Sequence, residues 1–178
     1  MAMNSVTIYI DKKENRDRLL KDVLGQLPLQ DGSGKPYIPG GSVNFNLSHS
    51  GSILVLAVSE SLEVGIDLEQ LENRRSNPDY MRLAERFFTE EEAEYIASSG
   101  LSDFIRIWTM KEACVKLKGT GIAGGLNRFT VVQDGCIMDF ADEVVFKDIK
   151  LPLREAFACT LATYTKPDEI KLINRLTD

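Results

Sequence analysis

Three closely spaced segments with strand patterns, residues 43–48, 53–58 and 64–69, constrain the fold more than any other feature of the chain. The first and third alternate apolar and polar side chains, which is typical of half-buried strands. The second is uniformly apolar, as a central strand would be. Helix patterns flank these segments and more strand patterns follow, so the sequence predicts an α+β fold.

Helix signals occur on both sides of the three strands. Residues 14–24 form an amphipathic helix pattern, and a capping box over residues 89–92 opens a second helix. Ser102 and Asp103 are expected to cap a third helix, which ends near Lys118 because Gly119 follows it.

The remaining segments favour loops and strands. Residues 27–41 are too rich in glycine and proline for regular structure, and Asp134 and Gly135 predict a hairpin turn in a strand-rich last third. The tail after Pro167 is expected to be a short closing segment. We therefore expect one domain, residues 1–178, built from two similar α/β halves in a pseudo-twofold arrangement, about 1–88 and 89–178.

Charge, cysteine content and hydropathy exclude several classes of protein. The 178 residues include 21 basic and 27 acidic side chains, a net charge of −6, which is unfavourable for gripping a nucleic-acid backbone. Three widely spaced cysteines form no zinc or disulfide pattern. The opening stretch has no hydrophobic signal, and no apolar run approaches the ~20 residues of a membrane span. We expect a cytoplasmic protein without nucleic-acid or membrane partners.

Asp67 and Glu69 lie in the third strand segment, where alternation puts both carboxylates on one face. Two adjacent acids repel each other unless a cation lies between them. Mg²⁺, usually bound by a few carboxylates together with phosphate oxygens of a substrate, would relieve that repulsion. The alternative is a solvated strand end, which is the more frequent outcome for an isolated Asp-x-Glu pattern.

Trp108, Glu112 and Lys116 are spaced at i, i+4 and i+8 in the third predicted helix, so they share one face. An acid and a base beside apolar residues on that face indicate a site. The alternative is an ordinary helix ion pair between Glu112 and Lys116, worth only about 0.2–0.5 kcal/mol. Lys111 lies about 100° around the helix from Glu112, so we expect it to have a different partner.

Two loop segments contain groups that could contact a ligand. His49, the only histidine, follows Ser48 just past a predicted strand, and hydroxyl, imidazole and backbone N–H groups can together cradle a phosphate. Lys35 and Pro36 follow a glycine-rich loop that lacks Walker or dinucleotide spacing. The alternatives are a structural histidine and an ordinary loop.

Taken together, these segments resemble the 4′-phosphopantetheinyl transferase superfamily. Its hallmark is a (V/I)-G-(I/V)-D block followed downstream by W-(S/T)-x-K-E-(A/S)-x-x-K, which residues 64–69 (VGIDLE) and 108–116 (WTMKEACVK) match. Residues 34–39 (GKPYIP) and 44–51 (NFNLSHSG) are similar, in that order, to the surfactin-synthetase-activating subtype. Residues 86–89 (RFFT) match the family's R-F-F segment.

The resemblance implies the two-half transferase fold and transfer of the 4′-phosphopantetheine arm of coenzyme A to a serine of an apo acyl or peptidyl carrier protein. The reaction would release 3′,5′-ADP and depend on Mg²⁺. The implied metal ligands are Asp67, Glu69 and Glu112, and the implied catalytic residues are Glu112, Lys116 and Asp67. The implied coenzyme A contacts are Lys35, Pro36, Ser48, His49, Lys111, Lys116 and Arg18.

The chain departs from the subtype at its N-terminus, where long members carry extra basic residues, and Arg18 is the best-placed substitute. It is shorter than those members and longer than the trimeric holo-acyl-carrier-protein synthases, so we expect an N-terminally shortened monomer. Two other functions fit the same motifs. One is a magnesium-dependent phosphoanhydride hydrolase, and the other is a non-catalytic relative that binds coenzyme A or carrier proteins.

Overall fold

The computed structural model describes residues 3–32, 34–71, 79–121 and 125–176 of the chain. Its α-helices are α1 Arg16–Leu24, α2 Tyr80–Phe87, α3 Glu90–Ser99 and α4 Leu101–Lys118. Its strands are β1 Ser5–Lys12, β2 Leu29–Gln30, β3 Pro36–Tyr37, β4 Asn44–Ser50, β5 Ile53–Ser59, β6 Gly65–Gln70, β7 Val132–Gln133, β8 Cys136–Ile137, β9 Phe140–Ala141, β10 Val144–Asp148, β11 Phe157–Thr163 and β12 Glu169–Asn174. The predicted α+β class is confirmed.

The first sheet contains β12, β1, β5 and β4, in that order. β5 pairs antiparallel with both β1 and β4, whereas β12 pairs parallel to β1, with Glu169 opposite Ser5. The short closing segment expected after Pro167 is therefore an edge strand of this sheet, which the sequence analysis did not specify. Residues 169–172 alternate polar and apolar side chains, but the alternation is short, and Lys171 to Asn174 are exposed.

The second sheet contains β6, β11, β10 and β9, in that order. β6 follows β5 in the sequence but pairs with β11, so that Asp67 lies opposite Thr160. Strands from the N-terminal and C-terminal parts of the chain therefore meet in both sheets. The division into two similar halves at residue 88 stays a prediction.

The ends of α3 and α4 test the predicted helix caps. The capping box of α3 is confirmed, because the Thr89 hydroxyl accepts a hydrogen bond from Glu92 N and the Glu92 carboxylate accepts one from Thr89 N. The predicted cap of α4 was wrong. That helix begins at Leu101 after Gly100, and the Asp103 carboxylate accepts a hydrogen bond from Tyr95 Oη at 3.0 Å.

Two short hairpins complete the architecture. Asp134 and Gly135 both have positive φ, 51° and 69°, and they join β7 to β8 as the predicted turn requires. In the glycine-rich stretch, β2 and β3 form a two-residue ladder that the sequence pattern did not predict. We refer to residues 29–37 as the β2–β3 arm.

β6 is an edge strand of its sheet, and both of its faces are covered. Ile66 and Leu68 pack with the apolar side chains of β1 and β5 between the two sheets. The opposite face of β6, at Gly65, lies against the backbone of α4. Among the described helices, none is both long enough and apolar enough to cross a bilayer.

Candidate functional site

Gly65 allows β6 to approach α4 closely. A Cβ atom at this position would lie 2.1 Å from Ala113 O and 2.6 Å from Leu117 N, closer than real atoms pack. Only glycine leaves that space, since it has no side chain. The glycine of the VGID block therefore places Asp67, two residues later, beside the helix that carries Glu112 and Lys116.

A ladder of side-chain hydrogen bonds joins β4 to β6, although the two strands belong to different sheets. Asn46 Oδ1 accepts a hydrogen bond from Ile66 N at 3.0 Å, Ser48 Oγ from Leu68 N at 3.2 Å, and Ser50 Oγ from Gln70 N at 2.9 Å. The polar residues of β4 thus face a neighbouring strand. In residues 44–50, polar side chains alternate with apolar ones because Asn46, Ser48 and Ser50 contact β6.

The Asp67 carboxylate lies at the contact between β4, β6 and α4. Its Oδ1 accepts hydrogen bonds from Lys116 Nζ at 2.6 Å and from Ser48 Oγ at 2.8 Å. Its Oδ2 is buried and has no hydrogen-bond partner among the described residues. Burial raises the pKa of Asp67 above its ordinary value, while the Lys116 ammonium opposes that rise. One oxygen of a buried carboxylate therefore still lacks a donor or a cation.

Two adjoining cavities meet at Lys116. One, of about 370 Å³, is lined by Glu112 and Lys116 from α4 and by parts of β4 and the β2–β3 arm. The other, of about 390 Å³, is lined by His49, Asp67, Glu69 and again Lys116. Lys116 and Leu47 line both cavities, and Lys116 is the charged side chain that the two cavities share. No three His, Cys, Asp or Glu side chains of the described part of the chain converge closely enough to form a metal site as they stand.

Positive charge surrounds His49 at the mouth of the second cavity. The imidazole is exposed, and its pKa is lowered first by partial burial and then by Lys13, Lys116 and Arg16. A neutral imidazole among three cations suits an anion such as a phosphate. Arg16 also lines the first cavity, whereas the exposed Arg18 is not among the residues that line it. Of the two α1 arginines, Arg16 thus lines the first cavity, and the predicted role of Arg18 stays a prediction.

Sequence reasoning missed Arg16, although helix periodicity distinguishes the two arginines. Arg16 precedes Leu19, Leu20 and Val23 by three, four and seven residues, so it lies at the start of the face that α1 buries. Arg18 lies about 200° around the helix from Arg16, on the opposite side.

Lys35 connects the β2–β3 arm to α4. Its ammonium donates a hydrogen bond to Leu117 O at 3.0 Å, in the last turn of the helix, where the carbonyl groups carry partial negative charge. Its side chain also lies over Gly119, which ends α4 with φ 67°. Lys35 and Pro36 line the first cavity, as expected of coenzyme A contacts, but the lysine ammonium is engaged by the protein itself.

Lys111 lies in the core, away from both cavities. Its fully buried ammonium donates to Leu126 O at 2.7 Å and to Phe129 O at 2.6 Å, and it pairs with Glu92 at 2.8 Å. Burial lowers the pKa of Lys111, whereas Glu92 raises it. Lys111 lines neither cavity in this structure, and its predicted contact with coenzyme A stays a prediction. Glu92, which also forms the capping box of α3, is the buried partner of this lysine.

Ser48 is buried, and its hydroxyl is fully engaged. It donates to Asp67 and accepts from Leu68 N and from Lys116 Nζ at 3.0 Å, which uses its one proton and both lone pairs. A phosphate contact by this hydroxyl would require one of these bonds to break. The prediction that Ser48 binds phosphate stays untested.

Trp108, on the same helix face as Glu112 and Lys116, packs in an aromatic cluster. Its ring centroid lies 5.8 Å from that of Phe104, and 6.0 Å from those of Phe87 and Phe88. Tilted and edge-on pairs at these distances are favourable. Phe87 and Phe88 of the RFF segment therefore pack against Trp108 and hold α4 in place one turn before Glu112.

A buried carboxylate with a raised pKa, paired with a lysine beside two cavities, marks a candidate functional site. A family model for the 4′-phosphopantetheinyl transferase superfamily matches residues 63–161, which include β6, α4 and most of β11. The chain belongs to this superfamily.

Individual relatives agree with the family match. The chain is 38% identical to 4′-phosphopantetheinyl transferase psf-1 of Bacillus pumilus, over 76% of this chain and 54% of the relative. It is 33% identical to the Bacillus subtilis 4′-phosphopantetheinyl transferase, over 78% and 58%. It is also 33% identical to the human L-aminoadipate-semialdehyde dehydrogenase-phosphopantetheinyl transferase, over 77% and 45%. The chain thus spans about half the length of these curated relatives.

Proposed function

We propose that this chain transfers the 4′-phosphopantetheine arm of coenzyme A to a serine of an apo acyl or peptidyl carrier protein. The observation that carries the proposal is the contact between Lys116 and Asp67 at the junction of the two cavities. In a member of this superfamily, a lysine beside carboxylates at the junction of two cavities is suited to bind a pyrophosphate. Membership alone would be compatible with a protein that has lost the reaction.

Coenzyme A would lie along the two cavities, with its pyrophosphate near Lys116. The wall formed by Lys35 and Pro36 would border the adenine, and Arg16, Lys13 and His49 would face the 3′-phosphate. The cations around His49 favour this orientation because the 3′-phosphate is the ligand's separate, doubly charged anion. The pantetheine arm would extend from the junction towards the carrier serine.

The reaction would be a displacement at the β-phosphorus. The carrier serine oxygen forms a bond to that phosphorus, the bond from phosphorus to the α-β bridging oxygen breaks, and 3′,5′-ADP leaves with the electron pair. The serine proton passes to a base, for which Glu112 is our candidate, directly or through a water molecule. Lys116 would stabilise the negative charge that concentrates on the phosphate oxygens.

The acid set fits a magnesium ion in its chemistry. Asp67 Oδ2 is a buried carboxylate oxygen without a hydrogen bond from the described residues, and such an oxygen is a natural Mg²⁺ ligand. Mg²⁺ in phosphate-handling sites is usually held by one or two carboxylates, while the substrate supplies further oxygens, so a ready-made group of three acids is not required. Asp67 would hold the ion, with Glu69 and Glu112 as further ligands. When bound, the ion would neutralise charge on the pyrophosphate.

The cellular setting and assembly belong to the same proposal. The three cysteines are free thiols, which suits a reducing cytoplasm, where coenzyme A is made and used. We expect a monomer, because the Asp67–Lys116 pair and the two cavities beside it are built from residues of a single chain.

The direct test uses labelled coenzyme A, Mg²⁺ and a panel of apo carrier proteins. Transfer of the labelled arm to a carrier, with one 3′,5′-ADP released per arm, would support the proposal. Hydrolysis of coenzyme A without carrier labelling would favour a phosphoanhydride hydrolase instead. Binding of coenzyme A with neither product would favour a non-catalytic relative.

A further inference from the structure

Ser48 and Ser50 make the same pair of hydrogen bonds, two residues apart. Ser48 Oγ accepts from Leu68 N and donates to Asp67 Oδ1 at 2.8 Å. Ser50 Oγ accepts from Gln70 N and donates to Glu69 Oε2 at 3.2 Å. In both cases one hydroxyl binds the backbone of β6 and the carboxylate of the preceding β6 residue.

The direction of these hydrogen bonds is fixed by the backbone. An amide N–H can only donate, so the serine oxygen must be the acceptor at that contact. The hydroxyl proton is then left for a second acceptor, and the carboxylate is the acceptor within reach. One serine oxygen therefore connects each carboxylate to the backbone of β6, the strand that carries that carboxylate.

Asn46 provides an internal comparison. It forms the first rung of the same ladder by accepting from Ile66 N through its side-chain carbonyl. The β6 residue before Ile66 is Gly65, which has no side chain to hold. A serine hydroxyl therefore occurs at the two positions of the ladder where the β6 residue before the N–H donor is an acid. At the position where that residue is glycine, the β4 residue is asparagine.

We propose that Ser48 and Ser50 are positioning residues that orient Asp67 and Glu69 as ligands for a divalent cation. This inference rests on the proposed function, since it assigns that cation to the same carboxylates. Carboxylates that bind metals are themselves usually held by hydrogen bonds, and removal of such a partner typically weakens metal affinity roughly 10- to 100-fold. Ser48 also accepts a bond from Lys116, so Ser50 isolates the positioning role more cleanly.

The test measures metal binding directly, with Mn²⁺ as a paramagnetic substitute for Mg²⁺. Free Mn²⁺ is followed by electron paramagnetic resonance during titration of the protein in the presence of coenzyme A. The variants are Ser50→Ala, which removes the hydroxyl, and Ser50→Thr, which keeps it. Ser52→Ala is the matched control, because Ser52 lies exposed in the turn after β4, outside the ladder. Thermal unfolding without metal is measured for every variant.

We expect Ser50→Ala to bind Mn²⁺ roughly 10- to 100-fold more weakly than the wild type, with Ser50→Thr and Ser52→Ala close to the wild type. Tight wild-type binding with an unchanged affinity in Ser50→Ala would overturn the positioning role and leave the proposed function intact. The positioning role is also overturned if Ser50→Ala lowers only the unfolding temperature. A wild-type protein that binds coenzyme A without Mn²⁺ would contradict both the positioning role and the magnesium dependence of the proposed reaction.

Discussion

Lys116 Nζ lies 2.6 Å from Asp67 Oδ1 and thereby joins α4 to β6. The lysine is about one quarter exposed and the aspartate is nearly fully buried, with side-chain exposures of 28% and 7%. The ammonium therefore offsets the charge of a buried acid on the side of the molecule that opens to both cavities. A ligand that contacts either group would affect the other.

A double-mutant cycle tests this coupling. Lys116→Met should lower the free energy of unfolding by about 1–3 kcal/mol, because it leaves the Asp67 charge without its cation. The double variant with Asp67→Asn should cost less than the sum of the single variants, since the two residues interact directly. Chemical denaturation of the four proteins measures the difference. Additive effects would mean that the ion pair is not coupled in solution.

Asp67 should make stability fall as the pH rises. Burial raises the pKa of its carboxyl above the ordinary value of 3.8, against the opposing effect of Lys116. The folded protein then holds this proton more tightly than the unfolded chain does. The contribution of Asp67 is fully present below the ordinary pKa and is lost as the pH rises through the raised pKa.

Metal-free denaturation of the wild type and of Asp67→Asn at a series of pH values checks this sign. The free energy of unfolding of the wild type, minus that of the variant, should decrease from acidic towards neutral pH. A difference that stays level or grows with pH would show that the folded protein does not raise this pKa.

Gly65→Ala should separate β6 from α4. The added methyl group would lie 2.1 Å from Ala113 O, and backbone must move to admit it. We expect a loss of about 1–3 kcal/mol or more in the free energy of unfolding, as in other overpacked sites, together with loss of carrier labelling. Gly32→Ala is the control, because a Cβ there meets nothing within 4 Å. Near-normal labelling by Gly65→Ala would show that the close approach is dispensable.

Local sequence signals predicted much of this fold, because each depends on neighbouring residues alone. The capping box at Thr89, the end of α4 at Gly119 and the turn at Asp134 are of this kind. The acids of β6 and the face shared by Glu112 and Lys116 also followed from strand and helix periodicity.

The remaining features depend on contacts between distant residues. Glu92 lies in an acidic run that looks solvated, yet it is buried against Lys111 from the next helix. The Ser48 hydroxyl is engaged by Asp67, Leu68 N and Lys116 once β6 and α4 pack beside β4, while its predicted contact with phosphate stays a prediction. β12 has only a short alternating pattern over residues 169–172, and its place beside β1 at the sheet edge depends on a pairing across most of the chain. Periodicity and spacing do not contain such information.

Lys35→Met should weaken coenzyme A binding more than it slows turnover. The substitution removes the hydrogen bond to Leu117 O that connects the β2–β3 arm to α4, while Asp67, Glu112 and Lys116 remain. We expect a higher KM for coenzyme A with a similar kcat, and faster proteolysis within the arm. Lys21→Met, at an exposed position of α1, is the control. An unchanged KM would show that this connection does not shape the site.

Lys111→Met should destabilise the fold rather than act on the ligand. Breaking a buried ion pair by removing one partner typically costs about 3–5 kcal/mol, and here the carbonyl groups of Leu126 and Phe129 also lose their donor. Thermal and urea unfolding measure the loss, with Lys118→Met on the same helix as the control. A stable variant with a selective defect in coenzyme A affinity would restore Lys111 to the binding site.

The position of the pyrophosphate in a crystal structure with coenzyme A and Mg²⁺ is the most direct test of the proposed site. We expect the pyrophosphate to lie beside Lys116, where the two cavities meet, with the ion on Asp67 Oδ2. Coenzyme A bound elsewhere, or at this junction with its pyrophosphate turned away from Asp67 and Glu112, would contradict the proposed site.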